Sequence, residues 1–181
     1  AANGEETATL VGQGANRQYV TIDEIPLDLQ HAFVAIEDER FYDHNGIDLH
    51  GIGRAFISGL SKGRFSEGAS TITQQLIKNN VLTSWTSETS FVEKLQRKIQ
   101  EQYLALELEK QVKDKDWILE NYMNSVNLGA NTLGVQAASK KYFNKDVSEL
   151  TLSEASVIAG ITQNPSGYNP ITHPDKNAKR R

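Results

Sequence analysis

The chain has 181 residues, 19 Lys and Arg against 23 Asp and Glu, a formal charge of −4 and no cysteine. That length suits one domain, or one domain with a small lobe, and is enough to bury a real core. The acidic balance excludes a general nucleic-acid binder, and the missing cysteines exclude a disulfide framework and a thiolate zinc site. In chain order, Thr7 to Val11 and Gln18 to Ile22 are β-rich and separated by Gly12, Gly14 and Asn16, which predicts a short hairpin. Leu29, Phe33, Ile36 and Arg40 then run at helical spacing after Pro26. From Ala69 to Leu128 there is neither Gly nor Pro, so long helices are expected. Ser70 or Thr71 can cap a helix through Gln74, Leu76 and Ile77, and Phe91, Leu95, Ile99, Tyr103 and Leu106 mark a long amphipathic one. Trp117, Ile118 and Tyr122 mark the next, opened by Asp114 or Asp116; Val135, Ala138 and Tyr142 mark another. Thr151-Leu152-Ser153-Glu154 has the pattern of a capping box. The bulk is therefore all-α.

No run reaches the length of about 18 apolar residues that a membrane span requires. The start lacks the basic and apolar regions of a signal peptide. With polar residues at one end and Lys179-Arg180-Arg181 at the other, the sequence reads as an excised domain whose anchor lies outside it.

Three groups break the apolar pattern. Glu37 lies four residues after Phe33 and four before Phe41, so a helix there sets a carboxylate in an apolar stripe, a setting that suits a general base. The plainer alternative is a Glu at the stripe's edge paired with Arg40. Glu101 shares a helix face with Lys94, Arg97 and Lys98, and the face continues as Ala105 and Leu108, from cationic to apolar. A solvated charged face would explain the charges alone; a cleft wall leading into the core explains both halves. Gly68 to Gln75 places Ser and Thr at a helix start, either an ordinary cap or an anion site. Lys78, Arg54 and the Lys62/Arg64 pair favour the anion. Two acids and several cations suit glycosyl transfer from a phosphorylated donor. His31, His44, His50 and His173 show no metal-ligand spacing, although His44 could orient the first acidic cluster.

At these residues the sequence resembles the peptidoglycan glycosyltransferase domain, glycosyltransferase family 51, found in class A penicillin-binding proteins and in monofunctional transglycosylases. Glu37, Asp38, Phe41, His44 and Gly46 match its first motif and Gly68 through Asn79 its second. Arg97, Lys98 and Glu101 match the third, and Ile118, Leu119, Glu120, Tyr122 and Asn124 the fourth. Gly134, Ala137, Ala138 and Tyr168-Asn169-Pro170 also fit.

The resemblance implies a mainly α, lysozyme-like fold: one glycosyltransferase domain over 1–181, with residues 1–25 a β-rich lead-in, a small membrane-facing jaw lobe at about 49–67, and a head lobe made by the rest. It implies polymerisation of lipid II onto a growing glycan chain, with inversion and release of undecaprenyl pyrophosphate. Glu37 would be the general base, and Glu101 would assist departure of the pyrophosphate, directly or by arranging cations or a divalent metal (Mg or Mn) around it; the sequence itself requires no cofactor. Lys78, Arg97 and Lys98 would contact phosphate, and Arg54 with Ser70, Thr71, Gln74 and Gln75 would form the donor site. Asp38 and His44 would support Glu37, while Glu120 and Asn124 would hold the cleft. The jaw, with Ile52, Ala55, Phe56, Leu60 and Phe65 among Arg54, Lys62 and Arg64, would meet the membrane, at the extracytoplasmic face of a bacterial cytoplasmic membrane. The lead-in with Tyr19-Val20 and Asp23 to Pro26 resembles bifunctional proteins, in which a transpeptidase domain follows. One stretch departs from the family. Between Lys78 and Arg97, where relatives carry another phosphate-binding arginine, Trp85 to Ser90 holds none, and Lys94 is the nearest cation.

Two other functions compete. A lysozyme-like hydrolase or lytic transglycosylase would cleave the same polymer, but needs no pyrophosphate site. A lipid-binding module keeping only the scaffold would not need both carboxylates. The charge balance also divides unevenly: residues 52–100 carry seven Lys and Arg against three acids, so a cationic segment is concealed in an acidic chain.

Overall fold

The computed structural model describes residues 18–62, 70–82 and 90–181. The first half of the expected hairpin, Arg64, Phe65 and Gly68, residues 85–89, and the side chains of Phe56, Leu60 and Lys62 lie outside the described residues. Eight α-helices carry the described chain: α1 Leu27–Glu37, α2 Leu49–Lys62, α3 Ile72–Asn80, α4 Phe91–Val112, α5 Lys115–Ser125, α6 Val135–Phe143, α7 Leu152–Ala159 and α8 Pro174–Arg180. Gln18 to Ile22 forms no strand, and the one β contact among the described residues is an isolated bridge between Asn127 and Leu133. Val20 explains why. Its N–H donates to Asn124 Oδ1 at 2.9 Å and its carbonyl accepts from Asn124 Nδ2 at 2.8 Å, so a side-chain amide takes the bonds a strand would offer.

The helix starts follow local chemistry. Thr71 caps α3, Ser90 and Glu93 form a capping box on α4, and Thr151 with Glu154 does the same on α7. Asp114 accepts the Trp117 N–H at 3.0 Å and opens α5. That helix is the centre of the core: Ile118, Leu119, Tyr122 and Met123 are all buried, and the Tyr122 ring meets Phe33 of α1 edge-on at 6.1 Å. Each such side chain contributes about 1.5–3 kcal/mol on leaving water. Helix α3 packs against both α4 and α5, and α1 packs against α7.

Two expectations change. The stripe of α1 does not run on to Arg40 and Phe41, because the helix ends at Glu37 and Asp38 leaves helical geometry at φ −160°. The Asp38 side chain is buried and bonded outside the helix, and Arg40 pairs with Asp48 rather than with Glu37. In α4 the apolar residues that mark the helix face outward: Phe91 is 79% exposed, Ile99 59% and Tyr103 63%. The inward face is Glu101, Ala105 and Glu109, all buried. The face thus leads into the core, but it carries a second buried acid, Glu109, beside the Ala105 that the pattern predicts.

Candidate active site

Glu37 closes α1 with a side chain that is 11% exposed. Its Oε2 accepts the amide of Gln75 at 2.9 Å, and the Gln75 carbonyl oxygen accepts the Tyr122 hydroxyl at 3.2 Å. The phenol therefore fixes which end of the amide faces the acid. Burial holds the Tyr122 hydroxyl well above its ordinary range, with the Glu37 and Asp38 carboxylates adding to the effect, so it remains a donor. Glu37 Oε1 accepts the Thr162 hydroxyl and lies 3.9 Å from the Arg180 guanidinium.

Glu101 is set differently. Its side chain is 2% exposed, Arg97 pairs with Oε1, and Lys98 Nζ lies 3.0 Å from Oε2. Lys98 also donates to Ser70 Oγ at 2.6 Å and to Gln74 Oε1 at 3.1 Å. The start of α3 therefore stands between the two acids: Gln74 and Ser70 hold the cation of one, and Gln75 holds the other. Lys78 lies on the same helix one turn further on, half-buried.

The α3 start is itself held by the first motif. Thr71 is buried; its hydroxyl accepts the Gln74 N–H and donates to the Gly46 carbonyl at 2.7 Å. Gly46 has φ +87°, and a Cβ there would meet the Ala105 carbonyl oxygen of α4 at 2.7 Å, so only glycine lets the turn lie against that helix. Asp38 accepts the Ile72 N–H at 3.0 Å and pairs with His44 Nε2 at 2.9 Å. Asp38 and His44 thus hold the start of α3, the helix that carries the Gln75 partner of Glu37.

Other predicted residues lie elsewhere. Arg54 is largely exposed and faces Glu39 at 3.8 Å. Glu120 accepts the Tyr19 hydroxyl and the Ile22 N–H, and Asn124 holds Val20, so this pair fastens residues 19–22 to α5. Glu120 pushes the Tyr19 phenol up to about 12 by accepting its hydrogen bond, with desolvation adding to it. The sequence pattern singles out neither Thr162 nor Arg180 as a partner of Glu37. No local spacing links either to Glu37, and the only hint is a polar Thr after the Ala159-Gly160-Ile161 run. Among the described residues no group of three His, Asp or Glu side chains is gathered that could hold a metal.

The transglycosylase family profile matches residues 3–181. The chain is 47% identical over 179 residues to penicillin-binding protein 1F of Bacillus subtilis (strain 168), covering 99% of this chain and 24% of that protein. It is 48% identical over 167 residues to penicillin-binding protein 1A of Clostridium botulinum (strain Langeland), covering 89% of this chain and 19% of the relative. To penicillin-binding protein 1A/1B of Bacillus subtilis it is 42% identical over 180 residues, with 99% and 19% covered. The chain thus spans between 19% and 24% of the length of these relatives.

Proposed function

The chain belongs to the transglycosylase family, and from that premise we propose that it polymerises lipid II into glycan strands with inversion and release of undecaprenyl pyrophosphate. One observation carries the reading. Two carboxylates flank the start of α3 in opposite settings, Glu37 held by the Gln75 amide and the Thr162 hydroxyl, Glu101 by two cations. A base needs a fixed, ionised oxygen within reach of a hydroxyl; a departing pyrophosphate needs cations already in place.

Glu37 takes the proton of the acceptor N-acetylglucosamine 4-hydroxyl. That oxygen attacks the anomeric carbon of the donor chain's N-acetylmuramic acid from the face opposite the pyrophosphate, whose bond to carbon breaks as the new one forms. The α-linkage becomes β. Lys98, Arg97 and Lys78 meet the phosphates, Ser70 holds the Lys98 ammonium, and Glu101 keeps Arg97 and Lys98 aimed at them. Thr71, Gln74 and Gln75 shape the donor side of the same turn. A divalent cation fits poorly on the protein here, because both oxygens of Glu101 already face cations. No step is assigned to one.

Among the described residues no helix is long and apolar enough to cross a membrane. Leu49 and Ile57 on α2 are exposed, which supports a membrane-facing jaw, and Phe91, Val92, Leu95, Ile99, Tyr103 and Leu106 add exposed apolar side chains on α4, outside the jaw. The greater length of the relatives supports a further domain, a transpeptidase, in the parent protein. Incubation of this chain with lipid II should give polymer, and Glu37→Gln should lower the rate by about 10²- to 10⁴-fold. Soluble muropeptides released from finished wall instead, or an unchanged rate in the Gln variant, would overturn the reading.

A further inference from the structure

We propose that Thr162 and Arg180 are positioning residues for the base, a clamp on Glu37 Oε1 supplied by the last fifth of the chain; this rests on Glu37 being the base of the proposed reaction. Neither residue belongs to the four main motifs. Thr162 follows α7, which packs on α1, and its hydroxyl donates to Oε1. Arg180 sits on α8, which is anchored by buried Asn177: its amide donates to the Val157 carbonyl at 3.0 Å and the Tyr168 carbonyl at 2.9 Å. The guanidinium carbon then lies 5.4 Å from the Tyr168 ring centroid, with Nη2 3.9 Å from Oε1, while Nε is buried without a hydrogen-bond partner among the described residues.

The two oxygens of Glu37 are therefore held by different elements of the fold. Oε2 faces Gln75, whose amide nitrogen can only donate; a proton on Oε2 would weaken that bond. Oε1 faces a hydroxyl that can turn. The Ala159 carbonyl lies 3.0 Å from Thr162 Oγ1, so when Glu37 carries the proton taken from the acceptor, the hydroxyl has a second acceptor. Proton transfer thus costs no stranded donor on this side. Arg180 is a fixed positive charge 3.9 Å from the same oxygen, and it limits the directions in which the carboxylate can turn. The other groups facing Glu37 are Gln75 on α3, Tyr122 on α5 and the adjoining Asp38.

Steady-state polymerisation of lipid II by Thr162→Val, Thr162→Ser, Arg180→Gln and Arg180→Lys tests the clamp. Val and Gln should each lower kcat about 10- to 100-fold with KM within about twofold, and Ser and Lys should recover most of it. A rise in KM alone would make Arg180 a substrate-binding group and overturn the proposal, as would a kcat unchanged in both Val and Gln variants. A second readout is independent of turnover: the ¹³C resonance of the Glu37 carboxyl, assigned by its loss in Glu37→Gln. It should move in Thr162→Val and Arg180→Gln and stay in place in Ser and Lys; no movement in either overturns the clamp. If the wild type makes no polymer while the resonance moves as expected, the functional reading fails and the clamp stands. Should Arg180→Gln not fold, Thr162→Val alone decides.

Discussion

Lys115 at the start of α5 offers a sharp test of what holds the site's scaffold together. Its ammonium lies 2.6 Å from Glu109 Oε2 on α4, 2.6 Å from the His44 carbonyl and 4.6 Å from the Phe41 ring centroid. Glu109 also accepts the hydroxyl of buried Thr73 on α3. One cation thus joins α4, α5 and the turn of the first motif, and through Glu109 it reaches α3. The side chains are 21% and 4% exposed, so the pair is largely shielded from water. Lys115→Met keeps the aliphatic stem and a sulfur against Phe41 but leaves Glu109 with Thr73 alone. An uncompensated buried carboxylate costs about 3 kcal/mol, and the orphaned His44 carbonyl about 1 more. For a domain of this size each kcal/mol moves Tm by about 2–4 °C, so a fall of about 10 °C is expected by calorimetry. The penalty comes from the stranded charge, so Lys115→Met with Glu109→Gln should recover at least half of it. Lys115 meets Glu109, the His44 carbonyl and the Phe41 ring rather than Glu37 or Glu101, so kcat of the folded fraction should stay within about threefold of wild type. A Tm within about 2 °C of wild type, or a double variant no better than the single one, would show that the stranded charge is not what destabilises the scaffold.

Two further outcomes follow from other parts of the molecule. Leu95→Glu with Ile99→Glu should weaken co-sedimentation with anionic lipid vesicles by about tenfold or more while leaving Tm nearly unchanged, since both residues are already exposed; equal vesicle binding would remove α4 from the membrane face. Lys145, through its hydrogen bonds, and next the Thr151 N–H hold the Glu154 carboxyl down at about 2. A carboxyl depressed on folding stabilises the fold above the ordinary carboxylate range and loses that contribution as pH falls towards 2. The Tm gap between wild type and Lys145→Met should therefore be widest near neutral pH and close on acidification; a gap independent of pH between 7 and 2 contradicts it.

What the sequence could disclose depended on how far a residue's partners lay along the chain. The caps at Thr71, Asp114 and Thr151 involve residues three apart, and each forms as its local pattern indicates. Glu101 and its two cations are likewise neighbours on one helix face, so their association was legible from spacing. Periodicity is weaker evidence about direction. It groups Phe91, Leu95, Ile99 and Tyr103 on one side of α4, but cannot say whether that side meets core or solvent, and here the charged face turned inward because α3 offers Ser70, Gln74 and Thr73 to receive it. The setting of Glu37 was least legible. The nearby cation, Arg40, is taken by Asp48, and the groups that hold the carboxylate come from α3, from beyond α7 and from α8. The orientation of that carboxylate is set by residues as distant as Thr162 and Arg180, where composition shows only a Thr and a run of cations. Motifs therefore locate the chemistry, while the precision of that chemistry is a property of the closed fold.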